Sequence, residues 1–142
     1  MSDQIIVVVS DWEASKTHAV PIRREVFVQE QSVPVELELD NEDASSLHAL
    51  AFLESGLAVG TGRLLCNAHI GRMAVLAAYR GHGVGAALLA ALLNKSRELG
   101  YKEVVLSAQL HAQGFYAAHG FIAEGDMYMD AGIEHISMRC IF

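Results

Sequence analysis

Gly81, Gly83 and Gly85 stand at alternate positions behind Arg80, where an apolar run gives way to a helical pattern. Glycine carries no Cβ, so a ligand can come close to the main-chain N–H groups of such a turn. A helix that starts there adds its unpaired amides and the positive end of its dipole. Together these suit a phosphate or a diphosphate. Two glycine–phosphate motifs fail on the residues themselves. A P-loop closes on Gly-Lys-Ser/Thr, whereas Gly85 is followed by Ala86 and Ala87. The dinucleotide fingerprint needs a different glycine spacing and an acidic partner for the ribose. What remains is Arg80-x-x-Gly83-x-Gly85, or else a plain glycine-rich turn between a strand and a helix.

The seven histidines are scattered, with no His-x-x-x-His or comparable spacing, so no metal site is expected. The formal net charge is −7 with only 10 Lys and Arg, which argues against a nucleic-acid face. No apolar run is long enough for a membrane span. The first residues, Met1 to Gln4, lack the basic stretch of a signal peptide. Cys66 and Cys140 form no Cys-x-x-Cys pair and sit in apolar runs. They read as buried thiols of a reducing, cytoplasmic compartment. At 142 residues and 52% hydrophobic, the chain suits a single domain, 1–142, with one core.

The elements that must position the turn follow from periodicity. Residues 5–9 read as a first strand, and Asp11 caps a helix from Trp12 that carries Ala19, Val20, Ile22, Val26 and Phe27 inward. Pro21 is a local disturbance in it. An acidic stretch at 36–43 reads as a mobile cover over a substrate site or as a solvated loop. Strands at 48–53, 57–66 and 69–75 form an antiparallel meander, with Gly60 and Gly62 marking a bulge or a close backbone approach. The helix at 83–99 presents Val84, Leu88, Ala91, Leu92 and Leu99 to the core, and Gly100 ends it in a left-handed cap. A strand at 101–108, parallel to the one before the helix, completes a β–turn–α–β unit. A short helix around Phe115 and Tyr116 leads to a closing hairpin, 121–128 and 134–141.

The pattern Arg80-x-x-Gly83-x-Gly85 resembles the acetyl-CoA pyrophosphate loop of the GCN5-related N-acetyltransferases, the GNAT superfamily. Phe115-Tyr116 followed by Gly120-Phe121 resembles its last helix and the strand after it. Val26-Phe27-Val28-x-Glu30-Gln31-x-Val33-Pro34 and Asp130-Ala131-Gly132-Ile133-x-His135-Ile136-x-Met138 are similar to the two ends of the small ElaA-like and YjcF-like bacterial branch. The resemblance runs from about Ile5 to Phe142. It implies an α/β (α+β) fold with a mixed, mostly antiparallel sheet of six to seven strands and about four helices. It also implies acetyl transfer from acetyl-CoA to the primary amine of a small molecule, without a metal.

On this resemblance the amides of Arg80, Gly81, His82, Gly83, Val84, Gly85 and Ala86 hold the diphosphate. Main-chain groups of Met73, Ala74 and Val75 pair with pantetheine, and Gln109 and Tyr116 complete the cofactor site. Tyr116 is the expected general acid to the leaving thiolate. An amine such as that of lysine, with a solution pKa of about 10.4, needs a base or a water chain. His135 is the leading candidate, since imidazole titrates near neutrality. Glu30, through a water, is the alternative. Arg23 and Arg72 are candidates to bind a carboxylate or phosphonate on the substrate. The acidic stretch points instead to a cationic amine, and the sequence leaves that conflict open. Also open are a non-catalytic acyl-CoA sensor, a protein or peptide N-acetyltransferase, and a homodimer.

Overall fold

The computed structural model describes residues 4–142; residues 1–3, which enter the reading of the N-terminus, lie outside it. Seven strands, β1 (Ile6–Ser10), β2 (Leu47–Phe52), β3 (Ala58–Leu64), β4 (His69–Val75), β5 (Glu103–Gln109), β6 (Ile122–Asp130) and β7 (Ile133–Ile141), form one sheet in the order β1-β2-β3-β4-β5-β7-β6. Every neighbouring pair is antiparallel except β4 and β5. Four helices accompany it: α1 (Trp12–Arg23), α2 (Val35–Glu38), α3 (Val84–Glu98) and α4 (Gln113–Ala117). This is the mixed α/β architecture expected from the sequence. Among the described residues no helix is long and apolar enough to cross a membrane.

α3 covers one face of the sheet. Leu88, Leu89 and Leu92 are fully buried, and each contributes about 1.5–3 kcal/mol by leaving water. The glycines of β3 make this approach possible. A Cβ on Gly60 would come within 2.8 Å of Val84 Cγ1, and one on Gly62 within 2.9 Å of Leu92 Cδ1. The buried stripe of α3 includes Leu89 and Leu93, whereas Leu99 is 47% exposed, because the helix ends at Glu98. Gly100, at φ 83°, makes the left-handed turn beyond it.

The other face receives α1 and the helical turn that follows it, where Ile22 and Val26 pack with Ala74 of β4. Asp11 caps α1 through its side chain, which accepts from Ala14 N at 2.9 Å. The helix runs through Pro21 and then widens to a π-helix over Arg24–Glu30. Insertions of this kind are frequent at functional sites.

A bulge in β4 lets one strand serve both faces. Two residues, Arg72 and Met73, oppose Gly62, because the register passes from Arg63↔Gly71 to Thr61↔Ala74. Arg72 takes a positive φ of 49°. The extra residue turns every later side chain to the opposite face. Ile70 therefore packs under α3 while Ala74 packs under α1. The sequence suggests a bulge or a close backbone approach at Gly60 and Gly62: both glycines approach α3 closely, and β3 carries a second bulge against β2 at Val59, beside Gly60.

Candidate active site

β4 and β5 pair only at His69↔Val105 and Ile70↔Leu106. Beyond those rungs the two strands no longer bond each other, and a cleft of about 780 Å³ opens there. Its lining brings together Glu30, Arg72, Met73, Ala74, Val75, Arg80, Gln109, Tyr116 and His135. These residues come from six separate parts of the chain.

After β4 a short 3-10 turn, Ala77–Tyr79, leads to Arg80 and the glycine turn. Gly81 and Gly83 have φ values of 80° and 84°, a region that side chains disfavour. Arg80 N–H reaches Ala77 O at 3.4 Å, and Ala87 N–H donates to Gly83 O at 3.0 Å. Between those two, the amides from Gly81 to Ala86 find no main-chain acceptor among the described residues, and no side chain caps the helix. A Cβ on Gly81 or Gly83 would meet no atom within 4 Å. The mouth of α3 is thus open and its donors are unspent. The lining of the cleft reaches Arg80, and the turn itself is exposed surface.

His135 lies on β7 opposite Gln109 of β5 and Tyr128 of β6. Its Nδ1–H donates to Ile133 O at 2.7 Å. A carbonyl only accepts, so the neutral ring carries its lone pair on Nε2. The imidazole is buried and stacks on Tyr128 at 6.1 Å between centroids, and the Tyr128 hydroxyl hydrogen-bonds Ser107 Oγ. Tyr116, on α4, is 9% exposed, and burial pushes its hydroxyl up to about 12. It therefore holds its proton throughout the neutral range, as a general acid must.

Glu30 and the two arginines differ from expectation. Arg80 Nη1 and Nη2 donate to Glu30 Oε2 and Oε1 at 2.5 and 2.7 Å. These hydrogen bonds hold the Glu30 carboxyl below its ordinary value, which weakens it as a base. Arg23 lies outside the cleft lining and is 1% exposed. Its Nε donates to Glu38 Oε1 at 2.6 Å, and Nη1 and Nη2 donate to Asp43 at 2.8 and 3.1 Å. Burial opposes its charge, but the hydrogen bonds to Asp43 and Glu38 outweigh this and raise its pKa. No fork is left for a substrate. Arg72 does line the cleft, yet its Nη2 already donates to Glu38 O at 3.1 Å and Asp40 Oδ2 at 3.2 Å. The two arginines do not converge on a common ligand.

The acidic stretch is an anchored strap rather than a mobile cover. Its carboxylates bind Arg23, Arg63 and Arg72, and Glu38 and Asp43 are buried. Cys140 is buried as expected, whereas Cys66 is exposed two residues past Leu64, the end of β3. Sequence reasoning missed Gln31, Glu38 and Ser107, all of which line the cleft. Gln31 stood in the quoted N-terminal pattern beside Glu30, and its position there was the available signal.

Residues 8–142 match the family model described as an acetyltransferase (GNAT) domain. YjcF of Bacillus subtilis, described as an uncharacterized N-acetyltransferase, is 34% identical over 92% of this chain and 96% of its own. An acyl-CoA N-acyltransferase from Pseudomonas aeruginosa superposes with a TM-score of 0.85 at 30% identity, covering 96% and 99% of the two chains. ElaA from Escherichia coli superposes with the same TM-score at 29% identity and the same coverage. The chain belongs to the GNAT acetyltransferase family, in the branch that holds YjcF and ElaA, and is an acyltransferase.

Proposed function

We propose that the protein transfers an acetyl group from acetyl-CoA to the primary amine of a small molecule, by direct attack in a ternary complex. The observation that carries this reading is the run of unspent amides from Gly81 to Ala86 at the mouth of α3. They fit a diphosphate, and the unpaired edge of β4 fits the amide-bearing arm behind it. Acetyl-CoA, when bound, supplies a thioester-activated acyl group. The chain supplies the rest. Amides of the glycine turn hold the anion, and main-chain groups of Met73, Ala74 and Val75 align the arm. His135 Nε2 takes a proton from the amine, and Tyr116 O–H delivers one to the departing sulfur. Gln109 borders the same arm from β5.

The charge pattern favours an acceptor without an acidic group. Arg23 is bound by Glu38 and Asp43 outside the cleft lining. Arg72 is held through Nη2 by Glu38 and Asp40, with its Nε left without a hydrogen-bond partner among the described residues, while Asp130 lines the cleft as an exposed carboxylate. The test is a panel of primary amines assayed for release of free CoA thiol. We expect release with at least one amine and a loss of about 100-fold in kcat for His135→Gln, the scale of general-base catalysis. Tight CoA binding with no thiol release from any amine or peptide would instead make the protein a sensor.

A further inference from the structure

Consecutive side chains at the end of the π-helix reach opposite lips of the splay between β4 and β5. Glu30 holds Arg80, just past the end of β4, through both guanidinium Nη atoms, at 2.5 and 2.7 Å. Arg80 Nε donates in turn to Val75 O at 2.9 Å, which ties the pair to the last residue of β4. Gln31 holds Gln109, the last residue of β5, by a reciprocal amide pair. Gln109 Nε2 donates to Gln31 Oε1 at 2.8 Å, and Gln31 Nε2 donates to Gln109 Oε1 at 3.3 Å. The π-helix end is itself fixed, with Gln31 N–H on Val26 O at 3.1 Å and Val33 N–H on Phe27 O at 2.8 Å.

We propose that Glu30 and Gln31 form a clasp across the open end of the cleft, which sets the gap between β4 and β5 for the cofactor arm and aims the Arg80–glycine turn. Glu30 is then a positioning residue and not the base. Main-chain bonds cannot set this gap, because the strands stop pairing at Ile70↔Leu106. A bidentate guanidinium–carboxylate pair fixes both distance and plane, and a reciprocal amide pair does the same on the other lip. Both partners of the Glu30–Arg80 pair are about two-fifths exposed, so the pair contributes little to global stability and acts through geometry. Both bridges border the same cleft, and the residue after Arg80 begins the run of open amides.

The clasp rests on the reading that the groove takes acyl-CoA, and the test separates the two. CoA is titrated calorimetrically into the wild-type protein, Gln31→Ala, Gln109→Ala and the double variant, with thermal unfolding of each. One net hydrogen bond corresponds to about 3- to 10-fold in affinity. We expect each single variant to weaken CoA by that factor, the double to be no weaker than the worse single, and Tm to stay within about 4 °C. In turnover with an amine from the panel, Glu30→Gln raises KM for acetyl-CoA and leaves the acid limb of the pH–rate profile in place. Unchanged or tighter CoA binding in the variants overturns the clasp, as does a double variant showing the product of the single effects. A displaced acid limb for Glu30→Gln makes Glu30 the base and overturns it too. A wild-type protein that ignores CoA overturns the functional reading itself.

Discussion

Two polar regions of this molecule are built from opposite rules. In the knot beneath the acidic strap, arginines and carboxylates pair with each other, and among the described residues only Arg63 Nε and Arg72 Nε are buried there without a hydrogen-bond partner. Asp43 receives hydrogen bonds from Arg23 and from Arg63 at 2.8–3.1 Å, His48 Nε2–H donates to Asp43 O at 3.0 Å, and Trp12 lies 5.4 Å from the Arg23 guanidinium. At the glycine turn there is no charged side chain beyond Arg80, and the amides face outward without acceptors. Burial makes the first arrangement necessary, since an unpaired ion there would cost several kcal/mol. Exposure makes the second tolerable, since water serves the amides until a better anion comes. The lesson is that charge density marks architecture in this chain, while a run of open main-chain amides marks the site.

Four changes would break or sharpen that contrast. The largest effect belongs to Gly83→Val. It loses at least two charge-assisted hydrogen bonds of roughly 1.5–3 kcal/mol each, so CoA affinity falls by about three orders of magnitude. The side chain meets open space, so folding loses only the strain at positive φ, about 1–2 kcal/mol. Calorimetry and thermal unfolding check both halves; affinity within tenfold of wild type would erase the distinction. Next is Arg23→Ala, which leaves Glu38 buried without its hydrogen-bonding cation and Asp43 with Arg63 alone, and costs about 3–5 kcal/mol in urea unfolding. The protein that remains folded binds CoA as before. A stable variant with a raised KM for the amine would restore Arg23 to the substrate site.

Tyr116→Phe keeps the packing and removes the proton donor. Its kcat falls about 100-fold at unchanged CoA affinity, and undiminished turnover would deny it the acid role. The smallest effect is on acid stability. Desolvation holds the His48 pKa below its ordinary 6.5, so the unfolded chain binds that proton first. Stability is complete above pH 6.5 and declines as pH falls below it. For Asp43, burial raises the pKa, but the hydrogen bonds from Arg23 and Arg63 win and hold it below its ordinary 3.8. Its contribution is lost only as the pH falls past that value. Per proton the slope is at most about 1.4 kcal/mol per pH unit. Urea unfolding at pH 7.5 and 5.5 reads it, and His48→Gln flattens that interval.

The glycine turn was legible in the sequence because all its parts are local: strand, turn and helix follow one another, and the left-handed positions fall on glycines. The strand order at the sheet centre followed from the same contiguity. The knot was not legible. Arg23 finds its carboxylates 15 and 20 residues away, and the acidic stretch taken alone looks like a solvated loop. Glu30 looked like a base because its partner, Arg80, stands 50 residues on. The β4 bulge left no local mark, since Arg72 is not a residue type that advertises a positive φ. Leu99 continued the helical spacing, and only the cap at Gly100 placed it outside the core.

The most direct measurement is an amide-resolved NMR titration of the labelled protein with CoA. The account predicts that the largest shifts fall on the amides from Gly81 to Ala86, while the Arg23 side-chain resonance stays in place. Saturable CoA binding that leaves those amides unmoved would contradict it.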